Sequence, residues 1–382
     1  MNYIRLIWKE LDATINLSIF HPTKGVKEYH AVIELTNKYN PAETQFKYMA
    51  EAMDRLKQTK ELKNAVLVLK RYFVSDAVNQ KEFLPTTGND DVAVSIVQQP
   101  PLNGTKVMVW LYWVEAGKMY LDASGTWILE RPHFKHLYTT QLQNPLNDEG
   151  TETKEIFQSY TNELARNQCT LKDNCIRTWI YVQGVDTHYA KMVTSRTEFF
   201  TKEGLTRDTH YIASTGIEGK YLNPQSLVLM DAYAVKGIKQ EQIKFLQAPT
   251  HLNPTYEYGV TFERATAVDY GDRRQIYVSG TASINNKGEI VHSGNVEKQI
   301  ERTLENIQAL LAEADTTMSH VAKMIVYLRD TADYEFVFTY LQKHYAEIPK
   351  VIAWAPVCRP GWLVEIECIA LKEIENKQFA TF

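Results

Sequence analysis

The chain has 382 residues, is 44% hydrophobic and 23% charged, and carries a formal net charge of −4. That is enough chain for two or three ordinary domains with real cores. The acidic balance, with no standout run of Lys or Arg, argues against a nucleic-acid partner or an anionic membrane surface.

The four cysteines, Cys169, Cys175, Cys358 and Cys368, have neither zinc spacing nor a dense disulfide pattern, which suits a reducing cytoplasm. The ten histidines are scattered, none in a His-x-x-x-His pair with an acid between, so no metal and no cofactor are expected. The first ten residues carry charges where a secretory signal needs an apolar stretch. No apolar run approaches membrane-spanning length.

In chain order, strands are expected at residues 4–11, 14–20 and 29–35 from their apolar alternation. An amphipathic helix follows over 42–56, then strands over 64–75, 92–98 and 106–113. Strands around 118–128 and 136–143 precede a helix at 153–166. A strand at 175–182 leads to a helix over 188–201. After it come residues 212–215, a turn Gly216-Ile217-Glu218-Gly219, and a strand at 227–235. The last third reads as strands at 261–268 and 275–282, a long helix over 294–314, a strand at 321–328 and a helix over 331–345. Strands at 351–355 and 362–371 close it.

One order of elements thus occurs three times: strands, helix, strand, helix, strands. Ile176–Val182 lays onto Ala322–Leu328, and Val66–Ser75 matches both in pattern. Three modules are therefore expected, at 1–116, 117–240 and 257–382, with the first degenerate. A plain two-domain α+β protein is the competing reading.

The closing strand carries the chemistry. Glu365 and Glu367 share a face with Leu363 and Ile369, opposite the apolar Trp362, Val364, Ile366, Cys368 and Ala370. An unpaired buried carboxylate is too costly, so the glutamate face must meet water, a partner strand or a polar cavity. Cys358-Arg359 stands just ahead, on a turn set by Pro360-Gly361. A surface salt bridge beside a buried cysteine is the plainer account of these residues.

Residues 260–372 resemble the RidA family, also called YjgF/YER057c/UK114 or L-PSP. The resemblance is carried by Ile276–Thr281, Gly288–Ile290, Gln299, Thr303–Ile307, Val326–Asp330 and Val364–Glu367. It implies a six-stranded mixed sheet with two helices on one face, in trimers with sites between subunits. Three such modules in one chain imply an α+β pseudo-trimer. Residues 175–219 and 258–370 further resemble the chorismatases, RidA-like enzymes that hydrolyse chorismate and release pyruvate. Here the matching pieces include Arg177–Tyr181, Tyr189 to Arg196–Phe200, Ala213–Ile217, Tyr258-Gly259, Phe262–Ala265, Ser279–Ile284, and Cys358 with Glu365 seven residues on. Departures are Asn223-Pro224-Gln225-Ser226-Leu227, which lacks that family's arginine, and Trp179-Ile180-Tyr181, which lacks its asparagine. Residues 1–115 show no match to the chorismatases.

These resemblances imply a metal-free hydrolase acting on a small carboxylate with an enol-ether or enamine group. Glu365 is the expected acid, since partial burial disfavours its charged form. Cys358 is a site wall or weak donor. Arg177, Arg196 and Arg329 are expected carboxylate clamps, because a guanidinium grips a carboxylate at two points. Tyr181 and Tyr258 would supply hydroxyls. An imine/enamine deaminase is the alternative, but that family's carboxylate arginine falls near Lys350–Ile352, where none stands; Arg207 is its only substitute. A non-catalytic small-molecule binder is a third reading. The assembly is expected to be a monomeric pseudo-trimer or a homo-oligomer.

Overall fold

The computed structural model describes residues 1–382 except 86–90, and the side chain of Tyr258 also lies outside the described residues. The first sheet contains β1 (Asn2–Trp8), β2 (Ala13–Phe20), β3 (Glu28–Leu35), β4 (Ala65–Val74), β5 (Ala93–Gln98) and β6 (Val107–Glu115). Its strand order is β1-β2-β3-β6-β4-β5. The second is built from β7 (Lys118–Leu121), β8 (Trp127–Glu130), β9 (Lys135–Gln143), β10 (Cys175–Val182), β11 (Ala213–Glu218) and β12 (Val228–Lys236). The third contains β13 (Ile243–Leu246), β14 (Ala265–Asp269), β15 (Arg273–Ala282), β16 (Val321–Leu328), β17 (Lys350–Trp354) and β18 (Val364–Glu373). Both repeat the order of the first sheet. In each, the fourth and fifth strands are parallel and the remaining pairs antiparallel. The third sheet starts at Ile243, inside the stretch expected to be linker between 240 and 257.

Helices cover one face. In the first module α1 (Ala42–Lys57) buries Phe46, Met49, Ala52 and Leu56. In the second, α2 (Glu149–Arg166) starts at Asp148, whose side chain accepts from the Thr151 N–H at 2.8 Å. A single turn, α3 (Leu171–Asn174), leads into β10, and α4 (Val185–Lys202) follows it. In the third, α5 (Val296–Glu313) is capped by Asn295, and α6 (Tyr334–Tyr345) forms the crossover. The first module departs from the expected repeat. Among the described residues, its β4–β5 crossover carries only the short 3-10 turn Lys81–Phe83 where the others carry α4 and α6.

The backbone registers equate positions across modules. Val74, Val182 and Leu328 end the fourth strands, opposite Val107, Val228 and Val364. One step inward, Phe73 faces Met108, Tyr181 faces Leu229, and Tyr327 faces Glu365. Two steps further, Trp110, Asp231 and Glu367 are equivalent. The sheets meet in a cycle. Arg71 of the first reaches Asp231 of the second at 3.0 Å, Arg177 of the second reaches Glu367 of the third at 2.8 Å, and Lys323 of the third lies 4.3 Å from the Trp110 ring of the first. The three modules are thus a closed pseudo-threefold ring. Its axis is packed with side chains such as His30, Tyr138, Tyr233 and Tyr277. One apolar cluster runs through all three modules, and the second keeps a further core under α2 and α4.

Candidate active site

A ring of three modules has three equivalent seams, and their contents differ. At the position of Glu365 the other two seams carry Met108 and Leu229. Only the seam between the second and third modules holds an acid there, and it opens into a narrow cleft of about 40 Å³.

The local fold aims Glu365 into that cleft. β15 has an irregular register between Val278 and Thr281, at Ser279-Gly280. Such a bulge re-aims side chains and breaks pairing locally. Gly280 leaves room for the carboxyl as it lies, because a Cβ there would collide with Glu365 Oε1. The loop ahead of β18 is locked from α5. Gln299 donates to the Gly361 carbonyl at 2.9 Å and accepts from the Leu363 N–H at 2.8 Å. Trp362 Nε1 donates to the Ser283 carbonyl at 3.0 Å.

The second module supplies the facing wall: Tyr189 and Arg196 from α4, and Ser214, Thr215 and Gly216 from β11. Gly216, expected in a turn, lies within the strand, and its bare Cα admits the Tyr189 ring, which a Cβ would approach to 3.0 Å. Phe262, Arg264, Cys358, Arg359 and Trp362 complete the lining. Three arginines therefore line the cleft that holds this carboxyl. Arg196 donates to Thr261 Oγ1 at 3.3 Å, Arg264 is braced on the Asn253 carbonyl at 2.9 Å, and Arg359 lies over the Trp362 ring.

Glu365 is only 5% exposed. Burial first, and the neighbouring Glu367 second, push its carboxyl up to about 8, against the opposing pull of Arg177 and Arg264. Glu367 behaves oppositely. Although burial opposes its charge, Lys323, Arg177 and Arg71 hold it well below the usual carboxylate range. Cys358 is pushed up to about 12 by burial and by Glu365, so it is a neutral thiol and no nucleophile.

Of the residues singled out in the sequence, Glu365, Cys358 and Arg196 line the cleft. Arg177 does not line it: its guanidinium lies behind, donating to Glu367, Thr215 and Ser279. Tyr181 is buried near the axis, because its strand faces the ring interior. Arg329 does not line it either. It forms a two-pronged pair with Asp186 at 3.0 and 2.7 Å across the module boundary. Arg207 is exposed, pairs with Asp208, and borders a separate groove with His210 and Phe245. The Tyr258 side chain is outside the described residues. Tyr189, Thr215 and Arg264 were missed as site residues. All three lie within the quoted matching pieces, but only the fold shows that they converge. Among the described residues no group of His, Cys, Asp and Glu is placed to hold a metal ion, and no helix is long and apolar enough to cross a membrane.

Comparison with known proteins agrees with the fold. Residues 264–372 match the family model described as Endoribonuclease L-PSP. A RutC family protein of Pyrococcus abyssi is 35% identical over 101 residues, covering 26% of this chain and 79% of that protein. The 3-aminoacrylate deaminase RutC of Acinetobacter baylyi is 27% identical over 97 residues, covering 25% of this chain and 77% of that enzyme. Among solved structures, a chorismatase superposes with a TM-score of 0.65 at 17% identity, covering 80% of this chain and 92% of its own.

Proposed function

Because this chain belongs to the RutC family of the RidA superfamily, we propose that its acid-bearing seam hydrolyses a small carboxylate with an enol-ether or enamine group. Chorismate is the substrate proposed, with release of pyruvate. One observation carries this reading: a carboxyl pushed up to about 8 faces a cleft bordered by Arg196, Arg264 and Arg359.

In the proposed reaction, Glu365 gives its proton to the terminal methylene carbon of the enol ether. The carbon bearing the ether oxygen becomes an oxocarbenium centre and takes water. The water's surplus proton returns to Glu365, and the hemiketal collapses. The proton of its new hydroxyl passes to the ether oxygen as the bond between that oxygen and the former vinyl carbon breaks, leaving pyruvate and a ring alcohol. A protonated acid near neutral pH, fixed cations for the carboxylates and exclusion of bulk water are what this needs. Arg196 and Arg264 are the proposed carboxylate clamps. Cys358 and Tyr189 form the neutral wall.

The test follows pyruvate from chorismate with a coupled dehydrogenase. Glu365→Gln is expected to lower turnover by about 10²–10⁴-fold, the usual worth of a general acid. Equal rates in both proteins would remove Glu365 from the reaction, and no pyruvate from either would remove chorismate. The alternative reading, enamine deamination, is favoured by the likeness to the 3-aminoacrylate deaminase. It needs ammonia release from fresh 2-aminoacrylate faster than solvent hydrolysis.

A further inference from the structure

The cleft acid has a neighbour that the reaction itself does not use. We propose that Glu367 is a positioning residue, a permanently ionised carboxylate that the ring axis holds beside Glu365 to keep the proton on it. This rests on the reading of Glu365 as the acid.

The geometry is one-sided. Glu367 lies two residues along β18 on the same face as Glu365. It accepts from Arg177 Nη2 at 2.8 Å, Lys323 Nζ at 2.9 Å, Trp179 Nε1 at 2.9 Å and Thr215 Oγ1 at 2.7 Å. Four donors, two of them cationic, occupy its oxygens. Such a carboxylate does not share its neighbour's proton; it stays charged and repels a second charge. The groups facing Glu365 divide accordingly. Arg177 from β10 and Arg264 from the segment before β14 favour its ionisation. Burial and Glu367 on β18 oppose it. Tyr327 across the ladder, and Tyr189 and Cys358 in the cleft, are all held neutral by burial. Arg196 and Arg359 line the cleft farther round.

The pinning cations come from the whole ring. Lys323 is seated on the Trp110 indole of the first module, whose Nε1 is held by His30 at 3.2 Å. Arg71, also of the first module, stacks over Trp179 with its Cζ 4.4 Å from the ring centre and helps keep Glu367 ionised. The first module carries Met108 at the position equivalent to Glu365, yet it furnishes part of the frame for that acid.

The experiment reads the protonated-carboxyl stretch of Glu365 by infrared difference spectroscopy, each protein minus its own Glu365→Gln version, across pH. Glu367→Gln combined with Lys323→Met removes the ion pair as a unit, so no ammonium is left buried alone. Glu367→Gln by itself is the second variant. The expected result is a midpoint lower by about one pH unit or more, a tenfold fall in the ratio of acid to ionised form at a given pH. An unchanged midpoint in either folded variant overturns the inference. The readout needs no substrate. A shifted midpoint without pyruvate release would sink the proposed reaction and leave this inference standing. A wild-type protein with no such band at neutral pH would sink both.

Discussion

Glu365 shows how far residue type and environment can diverge. Two glutamates separated by one residue on a single strand face are driven in opposite directions, one held neutral and the other held charged. The sequence showed that both share a face. It could not show that Glu367 meets Arg177 from 190 positions away while Glu365 points at a glycine. That glycine gives the sharpest test at this scale. Gly280→Ala places a methyl where Glu365 Oε1 lies, so the carboxyl must swing out of place. Catalysis depends on such placement to within about an ångström. Turnover should fall by about 100-fold, while a thermal melt shows a folded protein. A variant with wild-type turnover would mean that the carboxyl's position is unimportant.

At the scale of elements, local pattern carried most of the reading. The long helix shows because Ile300, Leu304, Ile307, Leu310 and Leu311 recur at helical spacing and are buried. The strand Cys175–Val182 shows because it is apolar throughout, as a central strand should be. That the described residues of the first module's crossover hold no second helix did not show, because the expected repeat was laid over a segment whose residues do not repeat. Nor did β13, which is only Ile243–Leu246 and lies between prolines and glutamines. Arg329 illustrates another limit. It stands at a strand end where a clamp would suit, but Asp186 at the start of α4 takes it. Its pair is partly exposed, and such pairs contribute about 1 kcal/mol or less. Arg329→Met should therefore cost about that much in a denaturant titration and leave KM within roughly threefold. A tenfold or larger rise in KM would restore Arg329 as a substrate contact.

At the scale of the whole molecule, the chain reads as a trimer written once and then specialised. Equivalent positions have drifted apart: Met108, Leu229 and Glu365 at the seams, Trp110, Asp231 and Glu367 nearer the axis. Three copies need not each be active when one seam suffices, and the other two are free to become structural. The repeat was legible because each module must bury the same sheet face. The pairing of seams was not, since Arg71 with Asp231 and Arg273 with Glu28 join residues 160 and 245 positions apart. Ring closure already covers the surfaces that separate modules would bury by associating. Light scattering should accordingly give the mass of one chain; a trimeric mass would mean that the seams form between chains.

The central claim is that Glu365 works as a protonated acid. It is tested most directly by the pH dependence of kcat/KM for pyruvate release from chorismate. With the carboxyl at about 8, the acid form dominates below that pH and is lost above it. The predicted profile is flat through neutrality and falls about tenfold per unit above that point. A rate that instead rises as an ordinary carboxylate ionises, with no descending limb near 8, would contradict it.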